Sequence, residues 1–484
     1  MQSFGLKGGQ YQPLNDQQVQ TIHEAALRIL ETTGIGFEKE LGPIVDSLIQ
    51  AGAMPEATGT RLTLPREFVQ ACLELAPERV VLYSRDGKND LDLSEDRVHL
   101  GTGGAAVKML DMESGKARPS TLQDLFDIAR LVDGLENIHF FLRPCIPTDL
   151  ADPGYDLNVF YTCFKGTSKH VMAGVNTDQT LYEVLELASM LAGGRQALQD
   201  KPFFSVITSF VISPLKLSTG PVKIMLECLK NKIPVALSGA PMAGSTSPLT
   251  MAGTLAQIHA EQLAGITLAQ VAAPGAPLLY GGIPGRADLQ TMNYCGGAIE
   301  CGMMNGAIHQ LARHVRVPNY NSSGLTDAKV PDAQAGWEKG MTTLLAAMAG
   351  SNYIHHAAGM LESMICVALE QYVLDDEIIG MAARVLRGID VDAEHLALEV
   401  IDQVGPGGEF MTAEHTFAHM RSEYFAGNRI TDRSNRDTWI KAGEKDAWAR
   451  AKDLVRAKLE AAGAGSIPED LDKALRERFD LKTL

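Results

Sequence analysis

HVMAGV (170–175), FFSVITS (203–209) and PVALSGA (234–240) are three short apolar runs, each stopping at a small or polar residue. Helix-length segments, Thr177–Ala192 and Gly220–Asn231, fill the gaps between them. Runs too short for buried helices, ended by Gly and Ser and alternating with helical stretches, are the pattern of βα units. Working outward, the same unit recurs as VHLGTGG (98–104), HFFLRP (139–144), PLLYGG (277–282), PNYNSS (318–323) and YIHHAA (353–358). Ala298–His314 and Ala333–Ala349 supply two further helical spacers. Eight such units predict an α/β fold, a closed parallel (β/α)8 (TIM) barrel over residues 97–390. An open doubly wound sheet is the alternative, but the expected dinucleotide fingerprint is missing. Gly101-Thr102-Gly103-Gly104 runs into an extended stretch, not a helix, which argues against a phosphate cradle.

The flanks read differently. NDQQVQTIHEAALRILETT (15–33) has helical periodicity with Asn15 or Asp16 as N-cap, and helical stretches follow near 40–51 and 65–77. Residues 1–96 are therefore read as a mainly helical N-terminal cap. After residue 390 the chain is helical again, broken at Gly405-Pro406-Gly407-Gly408, so 391–484 is read as a helical extension packed on the barrel.

Composition narrows the function. A net charge of −16 opposes phosphate-dominated nucleic-acid binding. The N-terminus lacks a secretory h-region, no apolar run approaches a membrane span, and the seven cysteines form no CxxC pair. The expectation is a cytoplasmic protein in a reducing compartment.

Chemistry in a (β/α)8 barrel sits where strands end. The seventh strand and its loop (319–340) are rich in small and polar residues, with Asp332 placed to cap the next helix. The eighth strand brings Tyr353, His355 and His356 beside alanines; regular alternation would send the two histidines to opposite faces, leaving one inside. Glu414, His415 and His419 resemble a zinc pair. The order is E-H-x-x-x-H rather than H-E-x-x-H, however, and no third ligand is evident, so no metal is expected. No G-x-S-x-G elbow is present.

Several long motifs resemble the trimethylamine methyltransferase family: VHLGTGGAAVKMLDMESGKARPSTLQDLFDIARLVDGLENI (98–138), SSGLTDAKVPDAQAGWEKG (322–340), YIHHAAGMLES (353–363), LDDEI (374–378), VGPGGEFMTAEHTFAHMRSEYF (404–425) and TDRSNRDTW (431–439). The resemblance implies a barrel that hands a substrate methyl group to cobalamin carried by a separate corrinoid protein. The family's trimethylamine enzymes carry pyrrolysine early in the seventh βα loop. The matching place here lies in Lys329-Val330-Pro331, at Val330, an ordinary residue. The chain is in this respect more similar to the pyrrolysine-free branch, which includes glycine betaine methyltransferases.

Chemistry agrees with that branch. A quaternary ammonium leaves as a neutral amine and needs no adduct; a neutral tertiary amine must first be activated. A trimethylammonium group offers no N–H, so aromatic faces and carboxylates are its partners. Tyr320, Tyr353, Tyr280, Phe140 and one of His355 and His356 are the expected cage, with Asp327 adding charge and Arg286 available for a substrate carboxylate. Glycine betaine is the first candidate, ahead of carnitine, proline betaine and γ-butyrobetaine. A hydrolase or lyase barrel and a non-catalytic betaine-binding barrel are the competing readings.

Overall fold

A computed structural model describes residues 5–57, 59–150, 153–427 and 430–484. The fold is α/β. Eight strands correspond to the eight runs: β1 (Arg97–Thr102), β2 (Phe141–Leu142), β3 (Val171–Ala173), β4 (Phe204–Thr208), β5 (Val235–Leu237), β6 (Leu278–Gly282), β7 (Asn319–Ser322) and β8 (Tyr353–Ala358). All their mutual pairings are parallel, in the order β2-β3-β4-β5-β6-β7-β8-β1. At the two ends of this series, Gly101 of β1 forms a parallel bridge with Phe140, just before β2. The His139 N–H donates to Leu100 O at 2.8 Å across the same junction.

A helix follows every strand: α1 (Leu122–Asp133), α2 (Tyr155–Gly166), α3 (Asp178–Ala192), α4 (Thr219–Lys230), α5 (Met251–Ala272), α6 (Ile299–His314), α7 (Ala333–Ala349) and α8 (Leu369–Arg387). Local sequence fixes several starts. Thr121 and Thr177 close capping boxes on α1 and α3, and Asp332 accepts from the Ala335 N–H to cap α7.

Alternation along the strands sorts their side chains onto two faces. Phe140, Leu142, Met172, Ala236, Leu279, Tyr320 and Tyr353 share one apolar cluster, and a hairpin of Val80–Leu82 and Leu91–Leu93 packs into it. Because Tyr353 and Tyr320 pair at the start of their strands, this hairpin plugs the end where the strands begin. The other faces pack against the helices in the main core. Before β1, residues 5–96 contain helices Asp16–Thr32, Gly42–Ala51 and Arg66–Leu73. Among the described residues no helix is long and apolar enough to cross a membrane.

Candidate active site

The eighth strand departs from regular pleating. Its register against β1 shifts between Ile354 and Ala358, and His356 has φ +67°. Such a bulge suspends alternation. The His355 and His356 rings therefore stand together, centroids 4.1 Å apart, and the expectation that they lie on opposite faces is corrected. Space for the bulge comes from Gly103 on the neighbouring strand end, where a Cβ would meet the His356 backbone N at 2.2 Å. Gly324 makes room in the same way after β7: it has φ +85°, and a Cβ there would lie 2.7 Å from Ala357 Cα.

Each imidazole has its own surroundings. Ser322 Oγ and His356 Nδ1 lie 2.7 Å apart, so the end of β7 fixes the His356 ring. His355 stacks obliquely on Tyr320 at 5.1 Å, and both its ring nitrogens are buried without a hydrogen-bond partner among the described residues. Burial holds the His355 pKa well below 6.5 and lowers that of His356 to about 3, so both rings are neutral at pH 7. Beneath them Tyr353 stacks on Phe140, with centroids 3.5 Å apart and planes 13° from parallel. The buried Tyr353 hydroxyl also lacks a partner among the described residues. Buried polar atoms normally find partners, so three orphans on one strand mark a place for a ligand.

The loops after β7 and β8 are sewn together. Ser363 N–H donates to Thr326 O at 2.8 Å and Glu362 N–H to Ala328 O at 2.9 Å, while the Ser363 hydroxyl donates to Asp327 Oδ1. Glu338 of α7 accepts from the Thr326 hydroxyl at 2.6 Å and the Asp327 N–H at 2.9 Å. Glu362, Ser363 and Met364 all have positive φ, a concentration of backbone strain that is typical of functional sites.

Below this loop pair lies an ion pair that sequence reading missed. Lys339 and Asp375 are fully buried, 3.2 Å apart. Lys339 Nζ also donates to Gly324 O, and Asp375 Oδ2 accepts from the Gly359 N–H at 2.7 Å. The pair thus clamps the turns that leave β7 and β8. Burial raises the Asp375 pKa to about 6, with Lys339 opposing the rise. Lys339 lies on α7 and Asp375 on α8, and no period within either helix marks the two as partners.

Other expected residues fall elsewhere. Tyr280 is corrected: Leu279 takes the interior position, so alternation turns Tyr280 toward α5, where its hydroxyl lies 2.7 Å from His259 Nδ1. Arg286 is exposed on the loop after β6. Val330 packs beside Leu110, Leu361, Cys366 and Trp448, at the loop's edge. Tyr294, not anticipated from sequence, packs against Gly285 and Leu325 near Asp327. His415 and His419 lie with ring centroids 4.4 Å apart on a surface helix. Among the described residues no group of three ligand-type side chains is placed to hold a metal ion.

Comparison with known proteins now decides the family. The family model for trimethylamine methyltransferase (MTTB) matches residues 5–483. The chain belongs to this family. It is 33% identical over 476 residues to trimethylamine methyltransferase MttB of Desulfitobacterium hafniense, covering 98% of this chain and 94% of the relative. It is 34% identical over 464 residues to the glycine betaine methyltransferase of another strain of that species, covering 96% and 94%. The fold is similar to the crystal structure of the monomethylamine methyltransferase MtmB of Methanosarcina barkeri, with TM-score 0.50, 13% identity and coverage of 95% and 96%.

Proposed function

We propose that this family member takes one methyl group from a quaternary ammonium compound, glycine betaine first, and passes it to cobalamin on a separate corrinoid protein, releasing the tertiary amine. The observation that carries the reading is the buried set of unpartnered polar atoms, His355 Nδ1 and Nε2 and the Tyr353 hydroxyl, among aromatic rings. A betaine needs both features. Rings of Tyr320, Tyr353 and Phe140 suit its cation, a contact worth about 2 kcal/mol when desolvated. A neutral imidazole N–H and a phenol suit its carboxylate, and a neutral His avoids repelling the ammonium.

Cob(I)alamin supplies a strong nucleophile to the methyl carbon. The chain's own task is to hold the cation, aim one methyl and exclude water. Val330 contributes neither proton nor adduct, which suits a substrate whose nitrogen is already cationic. The strand ends are ringed by exposed apolar residues on the βα loops, among them Val107, Ile212, Leu249, Leu289 and Ile365, each 42–61% exposed. Such a rim suits docking of a carrier protein and favours an enzyme over a betaine sensor.

The same reading takes the eight strands as a closed (β/α)8 barrel, supported by the Gly101–Phe140 bridge and the shared interior cluster. Residues 1–96 serve as its cap and 391–484 as an extension packed on it. All seven cysteines are free, which suits the cytoplasm.

Titration calorimetry tests the site. Tyr353→Phe removes only an unpartnered hydroxyl, so the melting temperature should stay the same or rise. The betaine dissociation constant should increase several-fold, for a hydrogen bond worth about 1 kcal/mol. Unchanged affinity would remove Tyr353 from the site.

A further inference from the structure

We infer, resting on the assignment of His355 as a substrate ligand, that the glycine-rich segment 103–105 after β1 is a gate that lifts to admit substrate. The site is sealed with this segment in place. Both ring nitrogens of His355 and the hydroxyls of Tyr320 and Tyr353 are buried without partners among the described residues, and His356 is buried beside them. A trimethylammonium group cannot pass a wall that excludes water from these atoms, so part of the wall has to move.

Three segments border the histidine pair where the strands end, and they are held differently. The turns after β7 and β8 are bonded to each other through Asp327, Glu362 and Ser363, and to the helices behind them through Glu338, Lys339 and Asp375. The segment after β1 has only its two ends fixed. Thr102 pairs with Ala358, and its hydroxyl donates to Leu142 O at 2.6 Å. Ala106 donates to Pro144 O at 3.1 Å and accepts from the Ile146 N–H at 2.8 Å. Between these anchors the N–H groups of Gly103, Gly104 and Ala105 donate to no described residue. Local opening costs least where backbone is unbonded.

Composition and strain point to the same three residues. Two glycines and an alanine carry no side chain that could pin the segment, and glycine reaches other backbone conformations freely. Ala105 is exposed and held at φ +87°, a region unfavourable for any L-residue, so the closed form stores strain that opening releases. The closed form leans on His356: a Cβ at Gly103 would lie 2.3 Å from His356 Cδ2. Ser322 holds the same ring at Nδ1, and its centroid is 4.1 Å from that of His355. The His356 ring thus stands between the segment and His355. Lifting residues 103–105 frees one edge of that ring and lets it swing off its neighbour. Val107, on the exposed apolar rim, lies two residues further on, so a protein docking on that rim bears on the gate.

Diethyl pyrocarbonate, which acylates neutral imidazole nitrogen, reads the gate without cobalamin when the labelled histidines are located by peptide mass spectrometry. His170 and His259 are also fully buried and neutral but do not border this segment, so they report global opening. His355 should be labelled roughly tenfold faster than either, or more, because local opening is more frequent than global unfolding. Ala105→Val places a β-branched side chain at positive φ, which disfavours the closed form, and should speed His355 labelling about fivefold with His170 unchanged. The contrast between His355 and His170 in the parent chain tests the gate even where that variant does not fold. Labelling of His355 no faster than His170, or a folded Ala105→Val that leaves it unchanged, overturns the gate. Glycine betaine should slow His355 labelling. Fast labelling that betaine leaves unchanged upholds the gate and removes betaine from the site.

Discussion

Lys339→Met is expected to lower the free energy of unfolding by about 3–5 kcal/mol, because it leaves Asp375 charged and unpaired in the interior. Urea titration followed by circular dichroism reads this directly. The pH dependence carries a sign. Without Lys339 the Asp375 carboxyl loses its opposing charge, so its folded pKa climbs further above the present value of about 6. A carboxyl that holds its proton more tightly when folded contributes stability below its unfolded pKa, near 4, and loses it as pH rises through the folded value. The variant should be nearest to the parent at pH 4–5 and furthest from it at pH 8. Adding Asp375→Leu should recover most of the loss, since an apolar pair of similar volume is often neutral. If the single variant matched the parent at pH 8, the two residues would not be clamping β7 to β8.

The second large effect concerns substrate affinity. His355→Ala should weaken glycine betaine binding by ten- to a hundredfold, the loss of a hydrogen bond to a charged group worth about 1.5–3 kcal/mol. His356→Ala should weaken it as well, because the two rings are in contact and His356 is fixed on Ser322. Parent affinity should be flat from pH 6 to pH 8, as burial keeps both imidazoles neutral there. An affinity that fell as pH rose through about 6.5 would mean a protonated histidine held the carboxylate. Calorimetry at three pH values separates the two cases.

Much of this is legible in the sequence. The eight runs are visible as runs because a strand buried on both faces is apolar throughout and ends at small residues. The Asp332 cap is equally local. The histidine pair was located but wrongly oriented: alternation is a rule for regular strands, and His356 sits in a bulge whose space comes from Gly103, far away in sequence. Tyr280 failed for the related reason that strand phase cannot be read from a run that is apolar on both faces. Lys339–Asp375 and the Ser363–Asp327 contact join residues 36 apart in the chain, and nothing in composition links them.

One spectral experiment reads which amine gives up its methyl group. The purified chain is mixed with cob(I)alamin and, in separate cuvettes, glycine betaine, carnitine, proline betaine and trimethylamine, and the conversion to methylcobalamin is followed. Conversion is expected with a quaternary amine, glycine betaine foremost, and none with trimethylamine, because Val330 can neither protonate nor capture a tertiary amine. Robust conversion with trimethylamine, or none with any quaternary amine, would contradict that expectation.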